Sequence, residues 1–386
     1  MNPDPLSLES LETPALLVDL GRLDANIAKT ADYAAAHDLA LRPHVKTHKS
    51  VRVAAEQLRR GAMGLTCATP FEAEVMSAVC DDLLVAFPPV GASRAARLAA
   101  LPVAARLIVA LDSARAVRDM STAATTAGRE VGVYVELDLG MHRVGVPVLD
   151  EAILLARLVK GTPSLYLAGL AFYPGHVREH ASAQDEPLRA LDAALGEALA
   201  RFADAGIDPP VVSGGSTPTL WRSHELRGIT EIRPGTYVYN DRTAVATGSC
   251  TWEECAATVL ATVVSTAVHG QAVIDAGSKA LGREPVRGAA GEGFGQLLEH
   301  PEVVVSRMSE EHGMLELNGT SWKPRVGDRV RVVPNHACIV VHLNDMVVGV
   351  RGDRVETTWP VDARGRGHRG IGLQTLPRPS GVPIVP

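Results

Sequence analysis

Between residues 20 and 245 short apolar runs alternate with longer stretches whose apolar positions recur at helical spacing. The runs at 39–46, 61–68, 82–88, 106–111, 131–138, 165–172, 210–213 and 231–239 predict eight strands. The stretches between them, at 23–37, 50–59, 70–79, 92–100, 113–127, 149–160 and 182–205, predict helices, with Asp24, Ser113 and Ser182 placed to cap or open first turns. Eight strand–helix alternations fit a (β/α)8 barrel. A doubly wound open sheet is the main rival, but no GxGxxG follows the first strand, which counts against a dinucleotide fold.

The pattern changes after residue 245. Segments 257–265, 271–276, 302–306, 328–333, 337–341, 346–351 and 354–359 are short and rich in Val, Thr and Ile, and Gly352-Asp353 reads as a hairpin turn. They predict a β-rich second domain over 246–386, to which residues 1–19 add a strand through Pro14–Asp19. The barrel then occupies 20–245. The tail from Pro377 to Pro386 carries four prolines and reads as an extended arm.

Composition narrows the class. Of 386 residues, 46% are hydrophobic, 21% charged and 4% aromatic, as expected for a globular α/β protein with an aliphatic core. A net charge of −6 suggests neither nucleic acid nor an anionic membrane as partner. No apolar stretch is long enough for a transmembrane helix, and the N-terminus lacks the pattern of a signal peptide. Five scattered cysteines suggest no disulfide framework and fit a reducing cytoplasm.

Barrel active sites gather at the C-terminal ends of the strands. Those ends carry Lys46, Cys67, Thr69, Asp112, Ser113, Glu136, Asp138, His142, Arg143, Tyr173, His176, Ser213 to Thr217, Gly235 to Tyr237, and Asp241. Lys46 is the leading candidate. Positive charge from His44, His48 and Lys49 and a dry setting would make its amine nucleophilic; the alternative is a solvated lysine at a helix start. In the run Ser213-Gly214-Gly215-Ser216-Thr217, two glycines allow close approach of an anion, Ser216 and Thr217 add hydroxyls, and Gly235 and Thr236 follow the eighth strand. A plain turn is the competing reading. A lysine facing a phosphate cradle suggests pyridoxal 5'-phosphate, held covalently through its aldehyde. Arg143 would donate to the cofactor, or form a salt bridge at the rim.

His336, immediately before the expected strand 337–341, and Cys338 within it lie two apart, so in extended chain both would point to one face, with His342 at the same parity if the strand continues. Imidazole and thiolate suit zinc, and a two-ligand site leaves positions for water and substrate. Cobalt, manganese and magnesium remain possible.

Four motifs occur here in one order: Pro43-His44-Val45-Lys46-Thr47-His48-Lys49, Ser213 to Thr219, Glu311-His312-Gly313, and Pro334 to Cys338. With them, the chain resembles the fold type III pyridoxal enzymes related to D-threonine aldolase, D-serine dehydratase and D-threo-3-hydroxyaspartate dehydratase. The resemblance spans residues 12 to 365. It implies an alanine-racemase-like barrel with a C-terminal β-domain, a homodimer, and small D-3-hydroxy amino acids as substrates. It implies Lys46 as the cofactor lysine and catalytic base, and His336 as a second catalytic residue. Arg143, Tyr173, Ser216, Thr217, Gly235 and Tyr237 fall at the cofactor, where the cradle reading adds Gly214, Gly215 and Thr236, and His336 with Cys338 fall at the metal. Cysteine at the second metal position is the dehydratase form, which implies conversion of D-serine or D-threonine to a 2-oxo acid and ammonia. Aspartate there is the aldolase form, so retro-aldol cleavage to glycine and an aldehyde is the alternative. A racemase or a non-enzymatic pyridoxal-binding protein fits the sequence less well.

Overall fold

The computed structural model describes residues 7–286 and 293–365; the tail expected to form an extended arm lies outside them. After β1 (Ala15–Asp19) and helix α1 (Leu20–Ala36), eight parallel strands follow: β2 (Ala40–Leu41), β3 (Leu65–Cys67), β4 (Asp82–Val85), β5 (Arg106–Leu111), β6 (Val131–Leu137), β7 (Leu165–Phe172), β8 (Val212–Gly214) and β9 (Glu231–Ile232). Between them run α2 (Val51–Arg59), α3 (Pro70–Met76), α4 (Ala92–Ala99), α5 (Ala114–Thr126), α6 (Leu149–Lys160) and α7 (Asp185–Asp204). The strand order is β2-β9-β8-β7-β6-β5-β4-β3. A parallel bridge between His44 and Thr66 closes the ring, with the Val45 and Thr66 N–H groups donating at 2.9 and 2.8 Å. The rival open sheet is thereby set aside.

Side-chain alternation explains the two layers. On β5, Leu107, Val109 and Leu111 join the cluster that includes Leu98, Met120 and Ala156 of the helices, whereas Ile108 packs inside the barrel with Leu84 and Tyr134. The interior also holds charge. Arg42, fully buried, donates from Nε to Glu231 and from Nη1 to Asp82, each at 2.7 Å. Breaking such a buried set by removing one partner is strongly destabilising.

The first and last barrel strands are shorter than their apolar runs. β2 is assigned only to Ala40–Leu41, although backbone bonds from Arg42 to Ile232 and from His44 to Pro234 carry the pairing on past Pro43. After β9, Pro234-Gly235 turns the chain into a 3-10 turn, Thr236–Val238.

Helix α8 (Arg242–Ala246) leads into the second sheet, which comprises β10 (Ala257–Ser265), β11 (Gln271–Ile274), β12 (Gly295–Leu297), β13 (Val305–Met308), β14 (Gly313–Glu316), β15 (Arg329–Pro334), β16 (Met346–Arg351) and β17 (Arg354–Pro360), together with β1. Helices α9 (Ser278–Leu281) and α10 (Ala337–Leu343) interrupt it. As expected from Pro14–Asp19, β1 joins this sheet, antiparallel to β10 and parallel to β16.

One expectation is overturned. Residues 337–341 form α10, not a strand. Ala337, Val340 and Val341 are buried while His342 is exposed, which is the spacing of one helix face. The parity argument that grouped His342 with His336 and Cys338 therefore fails.

Candidate active site

A cavity of about 340 Å³ opens where the C-terminal ends of the barrel strands meet the start of α10. Of the residues expected at the cofactor and metal, Lys46, Arg143, Tyr173, Gly215, Ser216, Thr217, Gly235, Thr236 and His336 line it. Gly214, Tyr237 and Cys338 do not.

Lys46 lies just beyond the His44–Thr66 bridge, so its place follows from the closure of the barrel. Its Nζ is 5.8 Å from the centre of the Tyr173 ring, and the Arg143 guanidinium lies 4.8 Å from the same ring. The cationic neighbours expected around Lys46 do not supply the charge. Burial holds His44 well below its usual range and pushes His48 down to about 3, so both rings are neutral. The Lys49 ammonium is paired with buried Glu72.

On the facing wall, Gly215 (φ 83°) turns the chain out of β8 in a left-handed conformation that favours glycine. Among the described residues, the backbone N–H groups of Gly215, Ser216, Thr217 and Thr236 find no protein acceptor. Buried backbone donors without partners are rare, and several together on one cavity wall make an anion cradle. Ser216 is buried, with its Oγ 3.1 Å from Thr219 Oγ1. A Cβ on Gly235 would come within 3.0 Å of the His44 carbonyl oxygen and Thr47 Oγ1. Gly214 has another reason to be glycine: a Cβ there would lie 2.3 Å from the Phe172 ring. Tyr237 is a core residue whose hydroxyl accepts from Gln57 Nε2 at 2.9 Å.

His336 caps α10 and Cys338 lies in its first turn. Cys338 Sγ is 3.2 Å from Thr47 Oγ1 and 3.8 Å from Thr236 Oγ1. Burial pushes the Cys338 thiol up, but His336 beside it prevails and brings it down to about 7. The same partnership, led by the Cys338 sulfur, holds His336 well above its usual range. Buried Asp241 accepts the Ala337 and Ala244 N–H groups, both at 2.9 Å, and its Oδ2 lies 3.4 Å from His336 Nδ1. A divalent ion would replace the shared proton of the imidazole–thiol pair. Among the described residues no group of three or more His, Cys, Asp or Glu side chains gathers that could hold a metal ion.

Two polar residues of the cavity gain importance from the structure. Arg233, not singled out from the sequence, is buried and donates to Ser213 Oγ and to the Phe172 carbonyl. Glu136, present in the strand-end inventory, lines the cavity with Oε2 unpartnered. Burial raises its carboxyl above the usual range despite Arg233 and Arg143 nearby. Other strand-end residues serve the loops: Thr69 and Ser113 cap helices, Asp138 accepts the Gly140 and His142 N–H groups, and Asp112 accepts that of Gly145. Cys67 is buried in the core.

Residues 18–243 match the family model of the alanine racemase N-terminal domain, and residues 256–350 that of a putative serine dehydratase domain. The chain is 33% identical over 372 residues to a 3-hydroxy-D-aspartate aldolase of Paracoccus denitrificans (strain Pd 1222), covering 93% of each. It is 36% identical over 358 residues to a D-threo-3-hydroxyaspartate dehydratase of Delftia sp. (strain HT23), covering 86% of this chain and 92% of that one. The solved D-threonine aldolase of Filomicrobium marinum superposes with a TM-score of 0.85 at 32% identity, over 93% of this chain and 98% of that one. A cysteine-to-alanine variant of a D-threo-3-hydroxyaspartate dehydratase, solved in a metal-free form, superposes at 0.82 with 32% identity, over 92% of this chain and 98% of that one.

Proposed function

Because the chain belongs to the family of pyridoxal-phosphate-dependent lyases that includes the D-threonine aldolases and the D-3-hydroxyaspartate and D-serine dehydratases, we propose that it is a metal-dependent dehydratase. It converts a D-3-hydroxy amino acid such as D-serine or D-threonine into a 2-oxo acid and ammonia. The observation that carries this reading is one cavity with Lys46 on one wall and four unpartnered backbone N–H groups on another. Pyridoxal phosphate, when bound, supplies an electron sink for the bond broken at Cα.

The residues of the chain then take defined parts. Gly215, Ser216, Thr217 and Thr236 hold the phosphate through backbone donors. Lys46 would hold the cofactor through its amine and would serve as the base that takes the proton from the substrate Cα. Arg143, stacked on Tyr173, donates to a cofactor oxygen. His336 and Cys338 hold the divalent ion, zinc by preference for this nitrogen–sulfur pair. The chemistry such an ion supplies there is Lewis-acid assistance to the departing 3-hydroxyl. Asp241 fixes His336, the role a carboxylate behind a ligating histidine commonly has.

Cysteine at position 338 supports elimination. The retro-aldol alternative is favoured by the likeness to the two aldolases. Product analysis with D-threonine decides between them. Elimination gives 2-oxobutyrate and ammonia; glycine with acetaldehyde in their place refutes the dehydratase reading. We further assign the enzyme to the cytoplasm as a homodimer. Its five free cysteines support a reducing compartment.

A further inference from the structure

The sulfur of Cys338 stands on a seam between two chain segments. One ends in Lys46 and Thr47; the other runs from Pro234 to Thr236. The His44 N–H donates to the Pro234 carbonyl at 2.9 Å, and a Cβ on Gly235 would lie 3.0 Å from both the His44 carbonyl oxygen and Thr47 Oγ1, so the segments are in direct contact. Thr47 is fully buried. Its Oγ1 lies 3.2 Å from Cys338 Sγ, its hydrogen-bond partner among the described residues. Thr236, whose N–H belongs to the anion cradle, places its Oγ1 3.8 Å from the same sulfur. One sulfur thus touches the residue after Lys46 and a residue of the facing cradle. A thiol bound to a metal ion has lost its proton and can only accept hydrogen bonds. With an ion in place, the Thr47 hydroxyl therefore donates to the sulfur, in a bond strengthened by the charge of the acceptor.

We propose that Thr47 is a positioning residue that couples the metal pair to the cofactor lysine. An ion on His336 and Cys338 orients the Thr47 hydroxyl, fixes the segment that carries Lys46 and so tightens the hold on the cofactor. Thr236 adds a second, longer link from the cradle. This inference rests on the metal-dependent reading and goes beyond it, since that reading requires no communication between the two groups. Linkage makes the coupling reciprocal: the cofactor tightens the ion by the same factor as the ion tightens the cofactor.

The test measures zinc affinity by competition with a chelating dye, on the holoenzyme and on the cofactor-free full-length chain. The ratio of the two affinities is the coupling factor. The parent holoenzyme is expected to bind zinc at least about 5-fold more tightly than the cofactor-free chain. Thr47→Val keeps the shape of the side chain and removes the hydroxyl. It is expected to lower the zinc affinity of the holoenzyme about 10- to 100-fold and to move the coupling factor towards one. Thr47→Ser returns the hydroxyl and recovers most of both. Thr236→Val gives a smaller loss, in keeping with its longer contact. Thr47→Ala is read in the same way as Thr47→Val should the valine variant not fold.

An equal loss of zinc affinity in the two forms of Thr47→Val marks a structural role alone and overturns the proposal. So does a serine variant no better than the valine, or a parent that binds zinc equally with and without cofactor. Each of these outcomes leaves the metal-dependent reading standing. A parent that binds no zinc in either form ends that reading and this inference together.

Discussion

Replacing Asp241 with alanine separates the two parts of the candidate site. The carboxylate is buried and makes two backbone bonds at 2.9 Å, one capping α8 through Ala244 and one holding the first residue of α10 through Ala337. Loss of the cap costs about 1 kcal/mol. Loss of a buried bond from a charged acceptor costs about 1.5–3 kcal/mol. Both losses come from one side chain and overlap, so the expected destabilisation is about 2–4 kcal/mol. Asp241→Asn keeps one acceptor and is expected to lose less than the alanine variant. The second effect is on the metal pair. Without the tether at Ala337, the spacing of His336 and Cys338 is no longer fixed, and zinc affinity is expected to fall about 10- to 100-fold. Urea unfolding of the metal-free, cofactor-free protein, followed by circular dichroism, measures the first effect. Competition with a chelating dye measures the second. Stability within about 0.5 kcal/mol of the parent, together with unchanged zinc affinity, would refute the reasoning.

Three further outcomes are expected. Lys46→Ala should abolish the visible absorption band of the bound cofactor; a persisting band removes Lys46 from its role. Verified metal removal should stop turnover of D-3-hydroxy amino acids while the visible band remains, and full turnover of the metal-free enzyme would sink the metal assignment. The raised Glu136 carboxyl keeps its proton in the folded state over a range above 4.5 where the unfolded chain has released it. Its contribution therefore makes stability fall as pH rises through that range. Glu136→Gln removes the contribution, so urea midpoints measured from pH 4.5 upward should fall less steeply than in the parent. Parallel curves for the two proteins would contradict this.

The barrel was legible because its signal is local and repeated. Each strand–helix unit carries its own change of apolar period, and β5, β7 and α6 match the expected bounds Arg106–Leu111, Leu165–Phe172 and Leu149–Lys160. Lys46, Ser216 and Thr217 were found for the same reason: a chemically distinctive residue at a strand end needs no distant information to be noticed. What sequence reading missed depends on distance along the chain. Ala337, Val340 and Val341 satisfy a buried strand as well as a buried helix face. The carboxylate that receives the first N–H of that helix belongs to Asp241, 96 positions earlier. Gly214 was read as room for an anion, yet the ring it accommodates belongs to Phe172 on the neighbouring strand. The charge expected around Lys46 failed on burial, a tertiary property: His44 and His48 are neutral because the folded chain excludes water from them. A motif can thus name the atoms of a site while their protonation and spacing are set by segments outside it. Asp241 stands at that junction. It follows the last barrel strand and accepts the N–H of the first residue of the helix that carries Cys338, so the barrel helps to place the candidate metal pair as well as Lys46.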